Sequence, residues 1–100
     1  MPKIICEIIC SPVGAGVSVS HHVKNAILAM KKIDGIRIMT HPMGTVFEAD
    51  TLDQVFETVR VAHEAILAGG ISRVVTQVRI DDRRDVERKM EDKVEAVSGN

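Results

Sequence analysis

Residues 36–50, IRIMTHPMGTVFEAD, are the part of the sequence most informative about the fold. Its first six residues alternate between the two sides of an extended chain, and so do residues 45–49, which is typical of β-strands. The residues between these two runs, Pro42-Met43-Gly44, favour a tight turn. The sequence therefore predicts two consecutive strands in the middle of the chain, over residues 36–41 and 45–49.

One strand and one helix precede this hairpin. Residues 3–11, KIICEIICS, alternate and are rich in β-branched side chains, which predicts the first strand. After a break at PVGAG, Ser18 and Ser20 are candidate N-caps for a helix. Asp34-Gly35 ends that helix, and its apolar residues recur at helical spacing at Val23, Ala26, Ile27, Met30 and Ile33.

A second helix, a strand and a short helix follow the hairpin. Thr51 and Gln54 form the pattern of a capping box. The apolar stripe of the second helix consists of Leu52, Val55, Phe56, Val59, Ala62 and Ile66, and Gly69-Gly70 ends it. Residues 72–80 alternate as a fourth strand. The charged segment 81–97 carries a weak helical stripe at Val86, Met90, Val94 and Val97, which predicts a short C-terminal helix.

The predicted order is β-α-β-β-α-β followed by a final helix, in one domain over residues 1–100. Two right-handed crossovers around a hairpin give the split βαβ, or ferredoxin-like, α+β sandwich. In this fold a four-stranded antiparallel sheet carries two helices on one face. A chain of 100 residues buries an adequate core as one domain but not as two.

The two faces of the predicted sheet differ in polarity. The face under the helices is apolar and takes Ile4, Cys6, Ile8, Cys10, Phe47, Val74, Val78 and Ile80. The other face, called the open face below, mixes the apolar residues Ile5, Ile9, Met39, Val46 and Val75 with the polar residues Glu7, Arg37, Glu48, Gln77 and Arg79. An exposed apolar patch of this size marks an interaction site. We therefore expect a dimer through the open face, and a tetramer built from such dimers.

The composition argues against several classes of protein. Thirteen basic and fourteen acidic residues give a net charge of −1, so no overall field attracts nucleic acid or anionic lipid. Phe47 and Phe56 are the only aromatic residues, whereas an RNA-recognition sheet needs exposed aromatic side chains. No apolar run reaches the roughly 20 residues of a membrane span, and the first residues, Met1-Pro2-Lys3, do not show the apolar stretch and cleavage site expected of a signal peptide. We expect a cytoplasmic protein without nucleic-acid or membrane partners.

The sequence shows no clear motif for metal binding or covalent catalysis. Cys6 and Cys10 stand about 13 Å apart if they share a strand, which is too far for a disulfide. We expect reduced, buried thiols, and a metal or redox pair is the alternative. His21 and His22 are adjacent, so their side chains diverge on a helix and do not share a metal easily. The sequence contains no phosphate-loop or nucleophile-elbow pattern.

Two charged features remain to be explained. The run DDRRD, residues 81–85, predicts a salt-bridge cluster in solvent or between subunits, and it could orient the last helix onto a neighbouring subunit. Arg83 and Arg84 as phosphate ligands are a further alternative. Glu48 lies on the open face, where a buried carboxylate needs a donor. Its partner is either an arginine across the sheet or a ligand.

Three strings resemble the small thiamine-binding protein family, the MTH1187/YkoF-like group, over about residues 3–95: SPVGAGVSVSHHV, PMGTVFEAD and AHEAILAGGISRVVTQVRIDDRRD. The resemblance implies a ferredoxin-like fold and homo-oligomers built from sheet-packed dimers. It also implies a small-molecule ligand, thiamine or its hydroxymethylpyrimidine moiety, and no cofactor. Some relatives carry two such domains in tandem, so here a partner subunit must complete a site that needs two.

The expected ligand-binding residues are Glu48, Thr45, Gly44, Met43, Thr40, Glu7 and Ser20. A carboxylate such as Glu48 can accept from the exocyclic amine of the pyrimidine, while the Thr45 hydroxyl or a backbone N–H donates to the ring. Glu7 adds negative charge that favours the thiazolium ring. Because aromatic residues are so few, Met39, Met43 and His41 are the side chains available to lie against a flat ring.

Three functions follow from these observations. The leading hypothesis is a non-enzymatic binding protein for thiamine or its pyrimidine, acting in supply, salvage or sensing. The second is a regulatory or assembly module of ACT-like topology, whose open face makes only protein contacts. The third is an enzyme that acts on a thiamine precursor, but no arrangement of base and nucleophile supports it.

Overall fold

The computed structural model describes residues 3–16 and 19–98. Its strands are β1 (Ile4–Pro12), β2 (Arg37–His41), β3 (Gly44–Ala49) and β4 (Val74–Asp81). Its helices are α1 (Ser20–Met30), α2 (Leu52–Ala68) and α3 (Met90–Val97). These elements follow one another in the predicted order. In the described part of the chain, no helix is long and apolar enough to cross a membrane.

The four strands form one antiparallel sheet in the order β2-β3-β1-β4. The hairpin between β2 and β3 turns at Pro42-Met43, with His41 opposite Gly44. A Cβ atom at Gly44 would lie 3.2 Å from the side chain of Ile9 on the neighbouring strand, so this position favours glycine. With α1 and α2 on one face, the sheet confirms the predicted ferredoxin-like fold.

The core lies between the sheet and the two long helices. Its fully or nearly fully buried members are Ile4, Cys6, Ile8, Ala26, Met30, Phe47, Ala49, Val55, Ala62 and Ile66. The predicted apolar face of β1 and β3 is therefore confirmed. Val78 and Ile80 of the edge strand β4 lie on the same face but are 37% and 39% exposed, because the helices do not extend fully over this edge.

Helix α2 begins with the predicted capping box. The Thr51 hydroxyl accepts from the backbone N–H of Gln54 at 3.1 Å, and the side-chain Oε1 of Gln54 accepts from the backbone N–H of Thr51 at 3.1 Å. The buried positions are Val55, Thr58, Ala62 and Ile66. The predicted stripe is wrong at its margin, since Leu52 and Phe56 are 38% and 58% exposed. Phe56 points about 100° away from Val55 around the helix.

The start of α1 differs from the prediction. Ser20 is the first helical residue, and Val19 occupies the N-cap position without a side-chain hydrogen bond. Ser18, the other predicted N-cap, lies outside the described residues. The helix ends at Met30, and Gly35 then turns the chain into β2 with φ +83°, a conformation that favours glycine.

Candidate functional site

Two rows of side chains cross the open face, because the antiparallel register aligns all four strands. One row consists of Met39, Val46, Glu7 and Arg79, and the next consists of Arg37, Glu48, Ile5 and Asp81. Residues two apart on a strand share a face and lie about 7 Å apart. The predicted open-face residues of these rows therefore stand where the alternation placed them.

Helix α3 begins directly over the row that contains Glu48. Glu48 is 5% exposed, and its Oε2 accepts from the backbone N–H of Met90, the first residue of α3, at 2.9 Å. Its Oε1 accepts from Nε of Arg37 at 2.9 Å. A helix N-terminus has unpaired N–H groups and favours a negative charge. Glu48 therefore fixes the position at which α3 starts.

Two ion pairs hold α3 in this place. Nη1 of Arg37 donates to Oε2 of Glu91 at 2.6 Å, so one guanidinium joins Glu48 to the first turn of α3. Lys93, two residues after Glu91, pairs with Asp81 at the end of β4. The expectation of a bare open face is therefore wrong in part, because a helix of the same chain covers some of it.

Only part of the predicted apolar stripe of the C-terminal helix is helical and buried. Val86 precedes α3, so the stripe is wrong at its start. Met90 is buried at 4% exposure, whereas Val94 and Val97 are 57% and 84% exposed. The helix thus contributes one buried anchor and two exposed apolar side chains. Sequence reasoning missed its role at the open face, because a short charged segment gives no signal of where it packs.

A cavity of about 480 Å³, called the open-face cavity below, lies between α3 and the sheet. Its lining consists of Ile5, Glu7, Met39, His41, Val46, Arg79, Ile80, Asp81, Met90, Lys93 and Val94. The apolar part of this wall includes two flexible thioethers, Met39 and Met90, which adapt well to the shape of a neighbouring group. A mostly apolar cavity with a few convergent polar groups is typical of a small-molecule site.

Glu7 is the carboxylate of the open-face cavity with spare capacity to accept hydrogen bonds. Its side chain is 30% exposed. The nearest basic side-chain atoms are Nε2 of His41 at 3.5 Å and Nη1 of Arg79 at 3.9 Å, both beyond a normal hydrogen bond. Within residues 3–16 and 19–98 no hydrogen bond is made to this carboxylate. Glu7 can therefore accept from a ligand.

A second cavity, called the turn cavity below, has about 330 Å³ and lies beside the β2–β3 turn. Four predicted site residues line it together with apolar side chains of β1 and α1: Thr40, Met43, Gly44 and Thr45. Ser20 lines a shallow groove along α1. His41 lines both main cavities. The structure therefore brings the four turn residues together and places Glu7, Glu48 and Ser20 elsewhere.

The two thiols are free. Burial raises the pKa of the Cys6 thiol to about 11. Burial also raises the pKa of Cys10, whose Sγ accepts from the Thr76 hydroxyl at 3.6 Å. The thiolate is the form that attacks carbon or binds metal, and a raised pKa suppresses it. These cysteines are therefore packing residues of the helix-covered face.

Four histidines are candidate metal ligands. Among the residues that the structure describes, no group of three or more His, Cys, Asp or Glu side chains could hold a metal ion. The rings of His21 and His22 lie 3.8 Å apart and are tilted by 40°. The predicted divergence is therefore wrong, because rotation about the side-chain bonds turns the two rings towards each other.

Comparison with known proteins identifies relatives over nearly the whole chain. Residues 6–98 match the family described as thiamine-binding protein. A UPF0045 protein of Methanothermobacter thermautotrophicus is 44% identical over 95 residues, which are 94% of this chain and 95% of that protein. The UPF0045 protein MJ1052 of Methanocaldococcus jannaschii is 40% identical over 97 residues, 97% of this chain and 94% of the relative.

Solved structures support the same fold. The crystal structure of the hypothetical protein MJ1052 has a TM-score of 0.88 and covers 98% of each chain. The structure of a putative thiamine biosynthesis/salvage protein from Thermotoga maritima has a TM-score of 0.76 at 20% identity, and covers 95% of this chain and 98% of that one. At such low identity the second likeness supports the architecture alone.

Proposed function

Because the chain belongs to the thiamine-binding protein family, we propose that it binds thiamine, or the hydroxymethylpyrimidine part of thiamine, in the open-face cavity. It acts in supply, salvage or sensing of this ligand and does not transform it. The observation that carries the proposal is the half-buried carboxylate of Glu7, which accepts no hydrogen bond from the described residues and lies in a mostly apolar cavity of about 480 Å³.

The chemistry of an aminopyrimidine matches this cavity. Its exocyclic amine donates, and a carboxylate such as Glu7 is the strongest acceptor available. Its flat ring is apolar on both faces, so it can lie between the thioethers of Met39 and Met90, which line the same cavity. In thiamine the thiazolium carries a positive charge, and proximity to Glu7 lowers its electrostatic free energy.

We assign Glu48 an indirect part in binding. Both of its carboxylate oxygens already accept hydrogen bonds, from Arg37 and from the backbone of Met90. It does not line the open-face cavity, but it holds the helix that does. Direct contact between Glu48 and the pyrimidine stays a prediction. A larger loss of thiamine affinity in Glu48→Gln than in Glu7→Gln would support direct contact and oppose the indirect role.

We also propose that the protein assembles as a dimer through the part of the open face that α3 leaves exposed, and that dimers form a tetramer. Met39 and Val75 of the sheet are 39% and 45% exposed, and Val94 and Val97 of α3 are still more exposed. Burial of such side chains stabilises association by about 25 cal/mol per Å². Sedimentation equilibrium at micromolar concentration tests this, and a monomer contradicts it.

A regulatory module is the second candidate function, and the same exposed side chains favour it. In that case the open face makes protein contacts only. Calorimetric titration with thiamine, hydroxymethylpyrimidine and a panel of amino acids separates the two functions. The thiamine-binding proposal expects saturable heat from thiamine or the pyrimidine and none from amino acids. Absence of heat from both thiamine compounds contradicts it.

The absence of catalysis is tested on the same sample. In the described part of the chain no Ser, Thr or Cys side chain lines the open-face cavity, and both free thiols lie on the helix-covered face. Bound thiamine recovered after long incubation should be chemically unchanged by mass spectrometry. The two reduced thiols fit a reducing compartment, so we place the protein in the cytoplasm.

A further inference from the structure

A small pocket of about 120 Å³ adjoins the open-face cavity and is lined mainly by cations. Its lining consists of Lys3, Ile5, Asp81, Arg83, Arg88 and Lys93. Four of these six side chains are basic and one is acidic. Three of the six, Ile5, Asp81 and Lys93, also line the open-face cavity, so the two spaces are neighbours. We propose that this pocket binds a phosphate group.

The ion pairs around the pocket leave room for an anion. Arg88 donates only to the backbone carbonyl of Asp92, at 3.3 Å, and has no carboxylate partner in the described part of the chain. Its positive charge is therefore uncompensated by a direct ion pair. A phosphate oxygen accepts strongly from guanidinium and ammonium groups, and arginine matches its geometry with two parallel N–H donors.

Two of the other three cations have carboxylate partners outside the pocket, which an anion can replace at low cost. Lys3 pairs with Asp50 at 2.6 Å, and Nε of Arg83 pairs with Asp85 at 2.7 Å. Neither of these carboxylates lines the pocket, and the Asp85 side chain is 68% exposed. The Arg83–Asp85 pair is exposed and the Lys3–Asp50 pair is partly exposed, and solvent weakens such ion pairs.

Lys93 pairs with Asp81, which does line the pocket, and Glu87 lies within electrostatic reach of Lys3. These two carboxylates oppose an anion. The basic side chains that line the pocket still outnumber its single acidic one.

The position of the pocket indicates where its phosphate comes from, and this step rests on the proposed function. Glu7 and Ile5 lie two residues apart on the same face of β1, which is about 7 Å. A ring that bonds to Glu7 therefore has the cationic pocket one row away, beside Ile5 and Asp81. The phosphate group is carried by a phosphate ester of the ligand, and the alternative source is free inorganic phosphate.

Calorimetry with thiamine, thiamine monophosphate and inorganic phosphate tests the pocket. Thiamine monophosphate should bind at least about tenfold more tightly than thiamine, the scale of one charge-assisted hydrogen bond. Arg88→Gln and Lys3→Gln should each remove most of this preference and leave thiamine affinity unchanged. Two such variants are needed because Arg88 also contacts α3. Arg60→Gln, which removes an equal charge from an exposed ion pair on α2, is the matched control and should change neither affinity.

The outcomes separate this proposal from the proposed function. Equal affinity for thiamine and its monophosphate, or a preference that survives both substitutions, overturns the phosphate pocket while thiamine binding stands. Binding of inorganic phosphate that depends on Arg88 and Lys3, without any binding of thiamine, supports the pocket as a site for free phosphate and overturns the proposed function. Absence of binding by all three compounds overturns both.

Discussion

Replacement of Glu48 by glutamine tests how the sheet holds α3. The carboxylate accepts one hydrogen bond from Arg37 and one from the backbone of Met90, each at 2.9 Å. Glutamine keeps a single carbonyl oxygen, so one donor must face an amide NH₂ group. A charge-assisted hydrogen bond contributes about 1.5–3 kcal/mol. Arg37 retains Glu91 and its side chain is 47% exposed, so water and that partner compensate part of the loss. We expect the variant to lose about 2 kcal/mol of unfolding free energy.

Urea unfolding at pH 7 measures this loss at a fixed protomer concentration, because assembly makes stability depend on concentration. With a slope of about 2 kcal/mol per molar urea, the midpoint should fall by about 1 M. Glu64→Gln is the matched control, since Glu64 pairs with Arg60 on the surface of α2 at 3.0 Å with its side chain 60% exposed. Glu64→Gln should lower the free energy of unfolding by no more than about 0.5 kcal/mol. If Glu48→Gln is no more destabilising than Glu64→Gln, Glu48 does not anchor α3.

Three further predictions concern the core, pH and assembly. Cys6→Ala should lower the free energy of unfolding, measured in urea, by roughly 1–2 kcal/mol because it leaves a small cavity. It should leave the affinity for thiamine unchanged. If the wild type binds zinc tightly and this substitution abolishes that binding, Cys6 is not only a packing residue. Because Arg37 lowers the pKa of Glu91 to about 2 from its ordinary value of 4.5, the pair stabilises the docked helix above pH 4.5, and this contribution disappears as the pH falls towards 2. The backbone amides of α3 should lose protection from hydrogen exchange between pH 4.5 and pH 2 in the wild type. In Glu91→Gln this pH-dependent loss should be absent. Ile9→Asp or Val75→Asp should give a smaller assembly by light scattering; an unchanged particle mass places the interface elsewhere.

The fold could be predicted because its signals are local. Alternation in residues 36–49, the capping box at Thr51 and the glycines after each long helix all depend on neighbouring residues. These signals agree with one another, so they define the order of elements and the two faces of the sheet. The prediction fails at Phe56, which is exposed, because hydrophobicity alone does not show how far around a helix the buried surface extends.

The candidate site was harder to predict because its geometry depends on distant contacts. Glu48 and Met90 are 42 residues apart, and Arg37 and Glu91 are 54 apart. No periodic pattern relates such residues. The sequence indicated that Glu48 needed a donor on the open face, but it could not show that the donors are an arginine and a helix N-terminus. For the same reason it identified Glu7 without showing that α3 encloses the cavity beside it.

Titration of thiamine into the wild type and into Glu7→Gln tests whether Glu7 binds the ligand in the open-face cavity. Loss of the charge should weaken thiamine binding by about 1.5–3 kcal/mol, or roughly 10-fold to 150-fold. Thr45→Val, a change of similar size in the turn cavity, is the matched variant and should leave the affinity unchanged. Circular dichroism and unfolding should show both variants folded. If Glu7→Gln binds thiamine as tightly as the wild type while Thr45→Val loses affinity, the ligand binds in the turn cavity and not in the open-face cavity.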